Sequence, residues 1–320
     1  MINFNKKSGG NMIKTIVGLG LASSLAFSGC AARTSVKMKQ DVSANETKKV
    51  DSKYTGPKRR VGVVAFDNKT AYGQQRLGQA ASDILITELV KTGKFIVVER
   101  DKLDKMLDEQ KLGLSGVIDS KTAAQMGKVL GLSAIVTGAI SNFGVRTTGS
   151  EYIVVQSKRQ EATCTVDIRV VDAETGQILL ADSGKGVSKV SSGGFLGLGT
   201  KGGYAESIEG DALRAAVSQL IENITSQINK KPWSCRIAQV ASGKIYLSAG
   251  TESGLEVGQK LKVYSQRAEI RDPDSGIVLG REEEELGTLE VASHAGEKLS
   301  LGKILKGRSP SKGDICRLED

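Results

Sequence analysis

Between residues 58 and 230, segments with the apolar pattern of strands alternate with segments that have the spacing of helices. The β-branched run "RVGVVAFDN" is typical of a buried strand, as are "KFIVVER" and "LSAIVTGAIS". Helical spacing of apolar residues appears in "GQQRLGQAASDILITELVKTG", "DKLDKMLDEQKLG" and "SKTAAQMGKVLG". This alternation predicts an α/β (α+β) domain in which helices pack on a sheet.

The pattern then changes to longer strands and a closing helix. "EATCTVDIRVVDAETGQILLADSG" predicts a long hairpin that turns at 174–176, and "DALRAAVSQLIENITSQI" predicts an amphipathic helix. From residue 231 to residue 320, short apolar runs separated by glycine turns predict a small all-β barrel as a second folded unit. Within it, the acidic run 282–285 is interpreted as a solvated strand edge, and residues 272–276 as a turn rather than a calcium loop.

The first thirty residues have the pattern of a leader. Lysines precede the apolar run "TIVGLGLASSLAF", which is too short for a membrane-spanning helix, and the run ends in "FSGC". Two small residues directly before a cysteine are typical of a lipobox. Residues 1–29 are therefore predicted to be a lipoprotein signal peptide, and Cys30 is predicted to be acylated. An ordinary signal peptide is the alternative. Ala31, rather than Asp, follows the cysteine, which in such lipoproteins favours the outer membrane, with the protein mostly facing the periplasm.

Residues 30–57 are polar and rich in lysine, without apolar periodicity, and are predicted to be a lipidated flexible linker near anionic lipid head groups. The formal net charge of +9 partly reflects this linker and the leader. A basic arm can bind nucleic acid, but a secreted lipoprotein rarely meets any, so no nucleic-acid partner is expected.

Composition and motifs give no sign of catalysis. The one histidine, His294, has no neighbouring nucleophile in "VASHAG", and neither G-x-S-x-G nor H-E-x-x-H occurs. We therefore expect no enzymatic activity, no catalytic residue, no metal site and no cofactor. Cys235 and Cys316 lie in the first and last apolar strands of the barrel segment, where a disulfide is geometrically feasible if those strands are neighbours. Two separate buried thiols are the alternative.

Three segments in order resemble the CsgG family of outer-membrane secretion lipoproteins over about residues 61–228. They are "FIVVERDKLDKMLDEQKL", "LGLSAIVTGAISNFG" and "VDIRVVDAETGQIL", and the lipobox agrees with them. The resemblance implies a homo-oligomeric ring in which each subunit inserts two β-hairpins, because strands in lipid must close into a barrel. Unfolded protein subunits would then leave through a narrow neck without nucleotide hydrolysis, aided by a periplasmic accessory protein.

The family order places the two hairpins at about 140–170 and 178–212. The glycine-rich "SSGGFLGLGTKGGY" lacks the order of a phosphate-binding P-loop and is interpreted as the turn and membrane-edge part of the second hairpin. The candidate membrane-interface residues at the two tips are Tyr152, Phe195, Leu198 and Tyr204.

The neck in this family is a loop after the first strand, which corresponds here to "DNKTAYGQQRLG". Its candidate constriction residues are Tyr72, Asn68, Gln74 and Gln75, and an ordinary surface loop is the alternative. The barrel segment resembles the C-terminal domain of flagellar assembly protein T in "AGTESGLEVGQKLKVYS" and "DPDSGIVLG", which implies a periplasmic binding or positioning module.

The predicted hairpins alternate poorly between apolar and polar residues, since Lys185 and Lys189 share the face of Val187. Two functions therefore remain at this point. One is an oligomeric secretion pore for extracellular, curli-like subunits. The other is a lipid-tethered periplasmic scaffold that binds an envelope machine, such as a flagellar basal body or a cell-wall synthase.

Overall fold

The computed structural model describes residues 42–43, 56–98, 103, 120–151, 155–195, 198–199, 205–274 and 278–319. Its strands are β1 Val42–Ser43, β2 Arg59–Val63, β3 Asp67–Asn68, β4 Phe95–Val98, β5 Ala134–Glu151, β6 Val155–Asp172, β7 Ile178–Phe195, β8 Leu198–Gly199, β9 Ser234–Ala241, β10 Lys244–Leu247, β11 Lys260–Arg271, β12 Val278–His294, β13 Ser300–Gly307 and β14 Ile315–Leu318. Its helices are α1 Gln74–Lys91, α2 Ser120–Leu130 and α3 Ala205–Asn229, with a 3-10 turn at Thr251–Ser253. Among the described helices, none is both long and apolar enough to cross a membrane.

The first sheet has the order β1-β7-β6-β5-β2-β4, with β3 beside β5 and β8 beside β7. β2 runs parallel to β4 and β5, whereas β5, β6 and β7 form an antiparallel meander. The first half of the sheet therefore has the predicted strand–helix alternation, and the second half makes the fold mixed α+β.

The larger core of this sheet lies on the face covered by α1 and α3, and a smaller cluster that includes Met126 of α2 lies on the other face. Alternate residues of β6 point into the larger core, so that Cys164, Val166 and Ile168 are buried while the residues between them are at least half-buried and polar. This period-two pattern follows from the pleat of a strand with one covered face.

The predicted second hairpin, residues 178–212, is corrected by the structure. β7 is a single long strand that pairs with β6 as far as Phe195, and the described return strand is only β8. Residues 205–212 belong to α3, because Ile208 and Ala212 recur at helical spacing and are fully buried against the sheet. The first predicted hairpin corresponds to β5 and β6, which pair from Ala134 opposite Asp172 to Glu151 opposite Gln156.

The predicted linker also contains one ordered element. Val42 and Ser43 form β1, which pairs in parallel with β7 at Gly186 and Val187. At these two residues the chain adds a short parallel strand to the sheet edge.

The second sheet is a closed barrel of six strands in the order β10-β13-β12-β11-β14-β9. Its interior is a separate hydrophobic core that includes Trp233, Ile237, Leu247, Leu261 and Leu289. Residues 40–320 nevertheless form one compact unit, so the sheet and the barrel contact each other directly.

Candidate functional site

The loop between β3 and α1 is held by its own hydrogen bonds. The Oδ1 atom of Asn68 accepts hydrogen bonds from the backbone N–H (3.0 Å) and the hydroxyl (2.7 Å) of Thr70. The Nδ2 atom of Asn68 donates to the carbonyl oxygen of Tyr72 at 2.6 Å. Both ends of the Asn68 amide therefore hold the loop in shape, as is usual for an Asn in a turn.

Tyr72 is tied to two other elements of the fold. Its ring lies 4.8 Å, centroid to centroid, from that of Phe143 on β5, at an interplanar angle of 30°. Its hydroxyl donates a hydrogen bond to the carboxylate of Glu209 on α3. This bond, together with partial burial and the charge of Glu209, raises the pKa of Tyr72 above its usual value. The side chain is 37% exposed, so one part of the ring faces solvent while its orientation is fixed.

Gln74 and Gln75 are the first two residues of α1, and only their backbone is described. The helix begins after Gly73, which has a φ of 69° and no room for a Cβ atom, since Leu77 would lie 2.7 Å from it. Of the four predicted neck residues, Tyr72 and Asn68 thus lie in one hydrogen-bonded loop. The other two, Gln74 and Gln75, are the first residues of α1.

A three-stranded ribbon continues the meander from the edge of the core, where Ala162 and Val187 are still buried, to the far ends of the strands. We call residues 144–151, 155–163 and 187–195 the ribbon; their sequences are "GVRTTGSE", "VQSKRQEAT" and "VSKVSSGGF". Eight residues of extended strand span about 26 Å. The strand register places Arg146, Glu161 and Lys189 on one face, and Glu151 and Lys158 on the other. Both faces of the ribbon therefore carry charge.

Polar side-chain contacts cross the ribbon on both of its faces. Lys189 forms an ion pair with Glu161 at 3.5 Å, and the side chain of Gln160 donates to the hydroxyl of Thr147 at 3.4 Å.

The predicted membrane-interface residues divide into two groups. Phe195 and Leu198 are register partners at the far end of the ribbon, where only their backbone is described. Tyr152 and Tyr204 lie outside the described residues, as does Cys30.

The junction between sheet and barrel is a polar network that the sequence pattern did not reveal. Arg59 is only 3% exposed, and its guanidinium donates to the backbone carbonyl oxygens of Lys231 and Pro232, the latter at 3.1 Å. The backbone N–H of Lys58 donates to the carbonyl of Ser253 at 2.6 Å, and the indole N–H of Trp233 donates to the carbonyl of Lys58 at 3.1 Å.

An ion cluster holds the other side of the same junction. The Nζ atom of Lys231 lies 3.0 Å from a carboxylate oxygen of Asp172 and 2.9 Å from one of Glu174, in the turn between β6 and β7. Burial alone would lower the pKa of Lys231, but the two carboxylates raise it. Burial alone would raise the pKa of Glu174, but Lys231 and Gln266 of β11 lower it. The β6–β7 turn is thus fixed to the barrel by charge.

Cys235 on β9 and Cys316 on β14 are directly opposite each other in the register. The two strands are therefore neighbours, which is the condition for the predicted disulfide. In this structure both residues are buried free thiols. A hydrogen bond to Cys235 and burial raise the pKa of Cys316 well above its usual value. The disulfide itself stays a prediction.

Other residues with reactive side chains have local roles. The Nδ1 atom of His294 lies 3.0 Å from the hydroxyl of the buried Ser300. Within the described part of the chain, no group of three or more His, Cys, Asp or Glu residues is arranged to hold a metal ion.

Comparison with known proteins gives one family and several distant relatives. The family model described as "Curli production assembly/transport component CsgG" matches residues 43–254. A protein of Neisseria meningitidis serogroup B, named as a candidate lipoprotein, is 26% identical over 222 residues, which are 66% of this chain and 93% of that protein.

Three solved structures resemble part of this chain. Lipoprotein GNA1162 from Neisseria meningitidis is 14% identical, with 54% of this chain and 99% of that chain covered and a TM-score of 0.30. The PelC dodecamer from Paraburkholderia phytofirmans is 14% identical, with 54% and 89% covered and a TM-score of 0.27. The LpoB C-terminal domain from Escherichia coli is 14% identical, with 44% and 90% covered and a TM-score of 0.30.

Proposed function

The chain belongs to the CsgG family, and on that basis we propose that it is an outer-membrane lipoprotein that works from the periplasmic side as a scaffold of an envelope secretion or assembly machine. In this proposal Cys30 carries the acyl chains, and the sheet and barrel together form the working unit. The protein acts by binding partners, without enzymatic activity or a cofactor.

Two observations support the lipid anchor. The relative in Neisseria meningitidis is named as a candidate lipoprotein, and "FSGC" places a small pair directly before Cys30. Several acyl chains on one cysteine would hold the protein firmly at a membrane, whereas a single chain holds weakly.

The distribution of charge on the ribbon is the observation that favours a scaffold over a pore. A strand in a transmembrane barrel presents an apolar band to lipid on one face, over about nine to eleven residues. Arg146 and Lys189 lie on one face of the ribbon, and Glu151 and Lys158 on the other, so neither face offers such a band. An Arg or Lys facing lipid at the bilayer centre costs about 2–4 kcal/mol, and an acidic residue less. The ribbon is therefore better suited to water and to protein partners.

A secretion pore is the second candidate, and the length of the ribbon favours it. Its span of about 26 Å equals the height of the apolar band of an outer-membrane barrel. In this reading a homo-oligomeric ring closes a barrel from the ribbons of several copies and exports unfolded protein subunits with the help of a periplasmic accessory protein. Copies of Tyr72, with Asn68, Gln74 and Gln75 nearby, would line the neck.

The experiment that separates the two removes the anchor alone. The signal is replaced by a secretory signal that is cleaved before Ala31, so that Cys30 is absent and everything that follows is unchanged. If the protein is a scaffold, we expect the anchorless version in the soluble periplasmic fraction and the native version in the outer membrane. A Cys235→Ser version, which loses a thiol but keeps the lipid site, should remain in the membrane.

The opposite result would support the pore. The anchorless version would then stay in the outer membrane and resist extraction with alkaline carbonate. Single particles in mild detergent would show closed rings with a detergent belt and a central opening. Such particles would overturn the scaffold proposal.

A further inference from the structure

A small cleft lies at the junction of the sheet and the barrel, with a volume of about 100 Å³. The walls come from β2, from the end of α2 and from the first strand of the barrel, and include Lys58, Arg60, Ser133, Glu174, Arg236 and Arg281. We call this space the junction cleft. It has room for a few water molecules or for one small oxyanion.

The charges around the junction cleft are strongly unequal. Among the described residues, six cationic ones line it, namely Lys58, Arg59, Arg60, Lys231, Arg236 and Arg281, against one carboxylate, that of Glu174. Lys231 is paired with Asp172 and Glu174, and Arg281 is paired with Glu269. These pairs leave an excess of positive charge at the cleft.

Two of the cations have no carboxylate partner. In the described part of the chain, neither Lys58 nor Arg60 has a carboxylate within ion-pair distance. The guanidinium of Arg60 lies beside Gly131, where an added Cβ atom would be 3.6 Å from its Nη1 atom. Among the described residues, Glu174 is the carboxylate whose pKa the charge of Arg236 helps to lower, and Glu174 is itself paired with Lys231.

The backbone on both sides of the cleft is already fixed. The carbonyl of Arg60 accepts a hydrogen bond from the N–H of Ser133 at 2.8 Å, and the N–H of Arg236 donates to the hydroxyl of Ser248 at 3.0 Å. Lys58 is held by Ser253 and Trp233, as described above. The backbone that carries these cations is therefore preorganised, so a ligand would have to order side chains but not the chain itself.

We propose that the junction cleft binds a phosphate-type oxyanion, with the guanidinium groups of Arg60 and Arg236 as its main ligands and Lys58 as a further cation. Arg60 belongs to the sheet and Arg236 to the barrel, so the anion bridges the two parts of the folded unit. Guanidinium groups suit this role because their parallel N–H donors match two oxygens of a phosphate. In the cell envelope the anion comes either from free phosphate or from the phosphate of a lipid head group.

The test uses the chain from Ala31 onward, which keeps every described residue and lacks the acyl chains. Binding of inorganic phosphate is measured by calorimetry, at low and at high sodium chloride. We expect the Arg60→Gln/Arg236→Gln double variant to bind phosphate at least tenfold more weakly than the unmodified chain. Arg76→Gln/Lys312→Gln is the charge-matched control, because both residues are exposed and lie outside the cleft; it should bind as the unmodified chain does.

Folding of the variants is checked by cooperative thermal unfolding, and Arg60→Lys/Arg236→Lys provides a second variant that keeps the charge. This lysine variant should bind more tightly than the glutamine variant and less tightly than the unmodified chain. Equal weakening in the cleft variant and the control would overturn the proposal, because it would show attraction by net charge alone.

Vesicles distinguish the two sources of phosphate. Vesicles of phosphatidylcholine are compared with vesicles that also contain phosphatidate. Binding to phosphatidate vesicles that is lost in the glutamine variant, without measurable binding of free phosphate, would identify a head group. Binding of free phosphate would identify the soluble ion. If the unmodified chain binds neither, the proposal is wrong, whatever the outcome for the scaffold and the pore.

Discussion

The carbonyl oxygen of Ala212 on α3 lies 1.9 Å from the position that a Cβ atom on Gly186 of β7 would occupy. One helical turn later, the carbonyl of Ala216 lies 2.1 Å from the corresponding position on Gly184. The helix therefore rests on the bare backbone of β7, and the two glycines are what allow this approach. This contact sets the position of α3 and, with it, that of Glu209.

Gly186→Ala should destabilise the protein by about 2–3 kcal/mol, because the added methyl group forces α3 away from the sheet. Urea unfolding of the unmodified and variant chains measures the loss. Gly144→Ala on β5 is the matched control: its Cβ atom would meet only the hydroxyl of Thr163, at 3.8 Å. A similar loss in both variants would argue against the close packing of α3 on β7.

Tyr72 should titrate above the ordinary range of tyrosine, because its hydroxyl donates to the carboxylate of Glu209. The ultraviolet absorbance of tyrosinate is measured against pH in the unmodified chain and in Tyr72→Phe. The difference between the two curves is the titration of Tyr72 alone among the six tyrosines. Glu209→Gln should move the pKa back towards its usual value.

The raised pKa of Tyr72 also determines how the stability of the protein changes with pH. The contribution of the Tyr72–Glu209 bond is fully present below pH 10 and is lost as the pH rises through the higher folded-state pKa. Tyr72→Phe should lack this alkaline loss while it keeps the ring contact with Phe143. An unchanged alkaline profile in Tyr72→Phe would contradict the assignment.

The apolar pattern was enough to predict β2, α1, β4 and β5, because each has a local period that a buried face imposes. The turn between β6 and β7 was also predictable, since Asp172 accepts hydrogen bonds from the backbone N–H groups of Glu174 and Thr175. The pairing of β6 with β7 was predictable from the same turn, but the second hairpin was placed too far along the chain. Residues 205–212 begin α3, and a short apolar pattern there does not by itself separate a strand from the first turns of a buried helix.

The junction could not be predicted for a related reason. Arg59 and Lys231 have the composition of a solvated surface, and their burial arises only when residues more than 170 positions apart meet. The same holds for Tyr72 and Glu209, which are separated by 137 positions.

Acid should weaken the junction through Glu174. Its lowered pKa means that its stabilising contribution is fully present above pH 4.5 and is lost as the pH falls through the lower folded-state value. Glu174→Gln should reduce the free energy of unfolding at neutral pH by about 1–2 kcal/mol and flatten its fall in acid. Glu161→Gln, which removes the exposed partner of Lys189, should change it by less than about 0.5 kcal/mol. Equal effects of the two substitutions would contradict the special role of Glu174.

Mild oxidation should link Cys235 to Cys316. Opposite residues on antiparallel strands have Cα atoms about 4.5–5.5 Å apart, within the range of disulfides. Peptide mapping by mass spectrometry should find this one cross-link, and the oxidised chain should gain about 4 kcal/mol against unfolding, since the bond closes a long loop.

Cys164 is the internal reference for that experiment. Burial raises its pKa to about 12, so in the folded protein it should stay unmodified by a thiol-alkylating reagent at neutral pH. Cross-links that involve Cys164 as often as the other two would indicate reaction of unfolded chains.

Lys58 and Arg59 give the fold a mechanical property. A pull from the amino-terminal side first loads the short pairing of β1 with β7. Past β1 it arrives at the start of β2, which lies between β4 and β5 and runs parallel to both. A force along this strand loads the hydrogen bonds to both neighbours together, in shear, instead of opening them one after another from an edge. The bonds of Lys58 and Arg59 to the barrel share that load, so the unit resists tension at the start of β2.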